Sequence, residues 1–342
     1  MKALALDGVG GLEHLALHDL PRPELEAAGD ALVRVHAAAL NRLDLFVTDG
    51  LAGVDYRFPH IVGSDGAGVV EAVGSAVTGI RAGDRVMINP GVACGRCAAC
   101  AAGEESLCAT FRVLGEHRPG TAAEYVVVPA VNLAAVPPAM SWAQAAAFSL
   151  ATLTAWHMLA TRAALQPGET VLVWGIGGGV ALAALQVARH LGARVIVTSG
   201  SDAKLEAARR LGAEATVNHA TQDVVAEVRR LTVRRGADVV VDSVGQARWP
   251  DSLRAMRRGG RLVTCGATSG PSGSINLMQL FQQQYRIIGS FGASMRNIHE
   301  SLAKMASGML PVIDTEVPLG EFERGLARLE SRQVFGKIVV TF

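Results

Sequence analysis

Four of the chain's five cysteines, Cys94, Cys97, Cys100 and Cys108, fall in one stretch with the spacing C-x2-C-x2-C-x7-C. Thiols so spaced offer four thiolates to a single cation. A closed all-thiolate shell is the structural type of zinc site, because no coordination position remains for a substrate. Binding would order a loop with little core of its own. Iron also accepts four thiolates, so the spacing alone leaves both metals open.

A second constellation lies at residues 171–188, VLVWGIGGGVALAALQVA. Gly175, Gly177, Gly178 and Gly179 stand between an apolar run and a helical pattern. Such a loop lets the backbone approach a pyrophosphate and aims a helix N-terminus at its negative charge. Val180 takes the place of the third glycine of G-x-G-x-x-G, a position that mainly serves helix–strand packing. The next strand, RVIVTSGSDAKL, ends at Ser199, where an NAD site has a carboxylate for the ribose hydroxyls. Ser199, Ser201 and Lys204 suit a 2′-phosphate instead. The expectation is NADP(H) in preference to NAD(H), with Ser201 or Asp202 capping the helix that follows.

These groups need a scaffold. The chain has 342 residues, half of them hydrophobic, enough for two domains. Its 32 basic and 31 acidic residues nearly cancel and are scattered, which argues against nucleic-acid and membrane-surface partners. No apolar run reaches membrane-spanning length. The first twenty residues lack a signal peptide's continuous apolar segment, so a cytoplasmic protein is expected, where clustered cysteines favour metal over disulfides. Up to about residue 140 the pattern is β-rich, as in ALVRVHAAAL, AGVVEAVG and AAEYVVVPAVNLAAVP. A helix follows from Ser141, its expected N-cap. From TVLVWG onward strand and helix patterns alternate: GVALAALQVARHLG, ARVIVTSG, SDAKLEAARRLG, ATVNH, TQDVVAEVRRLT, ADVVVDSVG, DSLRAMRRGG and RLVTCGA. That alternation predicts a doubly wound parallel sheet. YRIIGSFG, a helix over MRNIHESLAKMASG and a strand GKIVVTF close the chain.

In order, the motifs LNRLD, GSDGAGVVEAVGSAVTGIRAGDRV, the cysteine lobe, GTAAEYVVVP, LTAWHML, the glycine loop, VVDSVG and FGKIVV span nearly the whole chain. Together they resemble the medium-chain dehydrogenase/reductase superfamily of zinc alcohol dehydrogenases and quinone oxidoreductases. The resemblance implies an α/β protein: a GroES-like β-rich catalytic domain, residues 1–151 and 294–342, with a structural zinc lobe at about 91–110. A Rossmann domain, residues 152–293, would be inserted in it, with the active site between the two. It also favours zinc in the cysteine lobe, one structural zinc per subunit, and a homodimer or homotetramer.

Zinc alcohol dehydrogenases hold a second, catalytic zinc, and at the matching positions this chain has Asn41, Ser64 and Leu150. That set supplies no thiolate, imidazole or carboxylate. Leu43 stands where such enzymes keep a proton-relaying hydroxyl. Losing a hydroxyl proton is the hard part of alcohol oxidation, and zinc helps on the scale of moving bound water from pKa 15.7 to about 7. Hydride addition to a quinone or enone needs only donors for the charge that reaches oxygen. Asn41, Ser64 and Thr154 are the candidate donors, and Asp44 and Asp65 could orient them or carry a proton. By position, Arg42 and Lys337 would lie near the cofactor.

The leading expectation is therefore an NAD(P)H-dependent oxidoreductase reducing a small activated carbonyl compound without a catalytic zinc. An alcohol dehydrogenase and a non-catalytic NADPH-binding regulatory or structural protein are the alternatives.

Overall fold

The computed structural model describes residues 1–304 and 309–342. The chain divides into two compact units, one of residues 1–150, 293–300 and 310–342, the other of residues 151–292 and 301–309.

The first unit is built on antiparallel strands. In its larger sheet, strand Asp30–Ala39 is central, with Asp65–Val73 on one side and Lys337–Thr341 on the other. Register aligns Ala39 with both Asp65 and Val339. Asn41, Asp65 and Lys337 are thus brought to one end of the sheet: Asn41 lies two residues past Ala39, and Lys337 two residues before Val339. Alternation along these strands buries Ala31, Val33, Val35, Val70, Val86 and Ile88 in one core layer. A second cluster, including Leu4, Leu6, Leu45, Val47, Phe322 and Ile338, packs the helices Arg42–Asp49 and Phe322–Glu330.

The second unit holds a six-stranded, wholly parallel sheet, in the order Ala215–Asn218, Arg194–Ser199, Thr170–Val173, Ala237–Asp242, Met256–Thr264, Arg286–Gly289. Its central strands are buried along their whole length and rich in valine, as in parallel strands covered on both faces. Strand order reverses beside Thr170–Val173, the switch point where doubly wound sheets bind ligands. The glycine loop follows that strand.

Ser141 caps the helix Trp142–Trp156: its hydroxyl accepts from the Gln144 amide at 3.1 Å, and the Gln144 side chain accepts from the Ser141 amide at 3.0 Å. The helix expected over DSLRAMRRGG stops at Ala255, and Met256 begins a strand. Met256 is fully buried opposite Ala237, and Gly259, with φ +70°, and Gly260 let the strand shift register there. Of the helix expected over 295–308, Met295–Lys304 is present, and the last four residues lie outside the described ones. The helix Leu277–Gln283, capped by Asn276, had no reading from the sequence.

Candidate active site and metal centre

Asp65 is the hub of a buried polar cluster in the first unit. Its Oδ1 accepts from the backbone amide of Leu150 at 2.6 Å. Its Oδ2 accepts from Asn41 Nδ2 at 2.9 Å and from Lys337 Nζ at 2.7 Å. Lys337 also donates to Asn41 Oδ1. The ion pair is almost fully buried, with Lys337 side-chain exposure at 4% and Asp65 at 0%. A buried carboxylate is stable only when its lone pairs are met in this way.

Asp44 sits one helical turn past Asn41, and its Oδ2 accepts the Asn41 amide at 2.6 Å. Burial pushes its carboxyl up to about 6, and the Asp65 charge adds to that; the Asn41 and Gly63 amides and the Lys337 charge pull the other way. Ser64 is fully buried, and its hydroxyl donates to the Leu114 carbonyl at 2.8 Å. Thr154 is half-buried in the part of helix Trp142–Trp156 that belongs to the second unit. Arg42 donates to the Leu329 carbonyl at 3.1 Å. The structure thus gathers Asn41, Asp44, Asp65 and Lys337, with Ser64 beside Asp65 in the chain. No sequence pattern signals that the Leu150 amide joins them.

Could this cluster hold a catalytic zinc? Asn41, Ser64 and the Leu150 side chain are not zinc donors. Asp65, the one carboxylate at those positions, has both oxygens engaged, one by an ammonium. The donor set does not fit a metal.

The glycine loop does fit a dinucleotide. Gly175 has φ +67° and Gly177 φ +136°, backbone that side chains rarely adopt. Gly178 precedes the helix Gly179–His190, and a Cβ added to it would meet no atom within 4 Å. Open space therefore lies beside Gly178, at a helix start whose first-turn amides have no intrahelical partners. Val180 lies half-buried in that first turn. Ser199 accepts from the Ser201 amide at 3.2 Å, and Ser201 caps the helix Asp202–Arg210 through the Lys204 amide at 3.4 Å. Of the two expected caps Ser201 fills the place, and the Asp202 carboxylate accepts from Asn218 Nδ2 at 2.7 Å.

The Sγ atoms of Cys94, Cys97, Cys100 and Cys108 all lie within 4.8 Å of one another. Two of the separations are 3.5 and 3.9 Å. Tetrahedral zinc with bonds of about 2.3 Å sets its sulfurs about 3.8 Å apart, so the four cysteines suit it. The Thr110 hydroxyl, with the Cys94 and Thr110 amides, brings the Cys108 thiol down to about 6. Among the described residues the buried cluster at the lobe is small, Cys108, Phe111 and Val113, so a bound metal would add order there.

Family models agree with this architecture. Residues 27–138 match the alcohol dehydrogenase GroES-like domain, and residues 179–307 match the zinc-binding dehydrogenase domain. An L-threonine 3-dehydrogenase of Anaeromyxobacter sp. (strain Fw109-5) is 35% identical over 334 residues, 95% of this chain and 94% of that protein. An acryloyl-coenzyme A reductase of Metallosphaera sedula is 31% identical over the whole of both chains. The crystal structure of an NAD-dependent alcohol dehydrogenase superposes with a TM-score of 0.95 at 45% identity, covering all of both chains. No helix among the described residues is long and apolar enough to cross a membrane. A GroES-like unit with a four-cysteine lobe, a Rossmann unit with its glycine loop and relatives matched end to end place this chain among the zinc-type alcohol dehydrogenases of the medium-chain dehydrogenase/reductase superfamily, as an NAD(P)-dependent oxidoreductase.

Proposed function

We propose that this protein reduces an activated acceptor, a quinone or an α,β-unsaturated carbonyl compound, at a site without a catalytic zinc. One observation carries the reading: Asp65 is already neutralised by Lys337 among residues that are not zinc donors. The acryloyl-coenzyme A reductase among the relatives, named for an α,β-unsaturated substrate, supports it. The nicotinamide cofactor, when bound, supplies hydride. Gly175, Gly177, Gly178, Gly179 and Val180 would hold its pyrophosphate, and Arg42 is assigned there by resemblance.

NADP(H) is the cofactor we favour. Ser199 brings no carboxylate to the strand end, and Ser201 and Lys204 begin the next helix. The sulfur cage would carry one structural zinc and take no part in the reaction. We place the protein in the cytoplasm, where such thiols stay reduced. We also infer a homo-oligomer that buries the sheet edge Arg286–Gly289, where Ile287 and, on the preceding helix, Leu277, Met278 and Phe281 are exposed.

NADPH and NADH oxidation assayed against a panel of quinones, enones and enoyl thioesters, alongside zinc analysis, tests the reading. We expect turnover and about one zinc per subunit. No oxidation above background with any acceptor overturns it. The relatives named as alcohol and threonine dehydrogenases support a second reading, oxidation of an alcohol, for which two zinc ions per subunit would speak.

A further inference from the structure

Counting hydrogens at the C-terminal edge of the second unit's parallel sheet singles out His219. Thr198, in strand Arg194–Ser199, is fully buried. Its hydroxyl oxygen accepts from the Gly175 amide at 3.1 Å and lies 3.3 Å from His219 Nδ1. A hydroxyl has one proton to give. Were the ring proton on Nδ1, the Thr198 proton would be buried with no acceptor among the described residues, a costly arrangement. The Thr198 proton therefore goes to Nδ1, and the neutral ring carries its own proton on Nε2. Burial, with the Arg248 charge, holds His219 below the ordinary imidazole range, so the neutral ring is the resting form at neutral pH.

The Nε2–H has no protein acceptor among the described residues. The His219 amide donates to the Ser199 carbonyl at 3.0 Å, which pins the residue beside that strand end. Nε2 lies 3.4 Å from the point that a Cβ on Gly200 would occupy, and Gly200 is exposed. The donor thus stands at the turn formed by Ser199, Gly200 and Ser201. The two serine oxygens there accept from backbone amides, and each hydroxyl still has a proton to donate. Asp202, the next carboxylate in the chain, is engaged by Asn218 Nδ2.

We propose that the His219 Nε2–H donates to the 2′-phosphate of NADP(H), with Thr198 as the positioning residue that sets this tautomer. The assignment rests on the NADP(H) reading above. A hydrogen bond to a charged phosphate is about twice as strong as one between neutral groups. The same N–H would gain less from a ribose hydroxyl, so it discriminates between the two cofactors. The Thr198 hydroxyl also holds the glycine loop through the Gly175 amide, so loop and phosphate donor share one anchor.

Calorimetry on the full chain, with 2′,5′-ADP and 5′-AMP as probes, tests the contact without turnover. Kd for NADPH and NADH and the Tm of each variant are measured alongside. His219→Asn keeps an acceptor for the Thr198 proton and removes the outer donor. It should raise Kd for 2′,5′-ADP by about 10-fold or more, the loss of a hydrogen bond to a charged group. Its Kd for 5′-AMP should stay within about 2-fold. His219→Gln, whose longer amide reaches toward the place of Nε2, should recover part of the loss. NMR of the imidazole nitrogens, assigned by comparison with His219→Asn, should show wild-type His219 protonated on Nε2, and Thr198→Val should lose that bias. A wild-type ring protonated on Nδ1 overturns the proposal. So does a His219→Asn variant that weakens both probes equally, or neither; the NADP(H) reading then stands if wild type still binds 2′,5′-ADP more tightly than 5′-AMP. Wild type that binds 5′-AMP and NADH as tightly as 2′,5′-ADP and NADPH overturns both.

Discussion

Replacing Asp44 with Asn tests the electrostatics of the cluster through stability alone. The Asp44 carboxyl is raised from an ordinary 3.8 to about 6, first by burial. At about 1.36 kcal/mol per pKa unit, that is about 3 kcal/mol between the two protonation states. The folded pKa is the higher one, so the folded state holds the proton more tightly. The contribution is fully present below about 3.8 and is lost as pH rises through about 6. Between pH 5 and pH 7.5 the wild type should lose about 1.4 kcal/mol from this group. The Asn41 amide keeps an acceptor in the variant, while the Gly63 amide loses one, a pH-independent cost of about 1 kcal/mol. The wild-type curve should therefore fall by about 1.4 kcal/mol relative to the variant's between pH 5 and pH 7.5. Urea denaturation followed by tryptophan fluorescence, at fixed protein and zinc concentration, measures both. The chain has two units, so a single transition is not assumed; the second unit's contribution is common to both proteins and cancels in the comparison. Parallel curves from pH 5 to 7.5 would mean that Asp44 is already ionised at pH 5, and the burial argument would be wrong.

Other perturbations address the remaining sites. Cys108→Ser should bring zinc well below one ion per subunit and open segment 94–108 to proteolysis; unchanged zinc content would place the metal elsewhere. Gly178→Asp has room for its side chain and suits a helix start, so Tm should hold or rise. Its carboxylate would face the pyrophosphate, and NADPH Kd should rise by about 10-fold or more; calorimetry showing unchanged binding would put the cofactor elsewhere. Ser199→Asp should shift the NADPH to NADH ratio of kcat/KM by about 10-fold or more toward NADH, and an unmoved ratio would remove Ser199 from cofactor choice. Ile287→Glu should lower the oligomer's mass in sedimentation, and an intact assembly would exonerate that edge.

Local pattern carried much of this architecture into view. The cysteines act within fifteen residues of chain, so spacing alone exposed them. The glycine loop is a strand, a turn and a helix in succession, and the parallel sheet showed itself by repeating that succession. The Asp65 cluster is different in kind. Asn41 lies 24 residues from Asp65, and Lys337 lies 272 away. Only the pairing of three strands brings them together, and no local periodicity reports pairing. Resemblance put Lys337 near the cofactor, and no motif announced that its ammonium binds Asp65 and Asn41. The Leu150 contact is made by backbone, so the side chain there carries no sign of it. Met256–Thr264 begins as a strand through MRRGG because tertiary pairing with Ala237 outweighs a helix-like composition.

The strand that carries Lys337 also bears on biosynthesis. A ribosome delivers Asn41 and Asp65 early, and the whole parallel sheet of the second unit next, before residues 337–341 emerge. Until then strand Asp30–Ala39 lacks one neighbour, and the Asp65 carboxylate has no ammonium to balance it. The first unit therefore completes its sheet only after the second unit's strands have been synthesised. A nascent chain stalled before residue 337 should hold a folded nucleotide-binding unit beside a protease-sensitive, chaperone-dependent first unit.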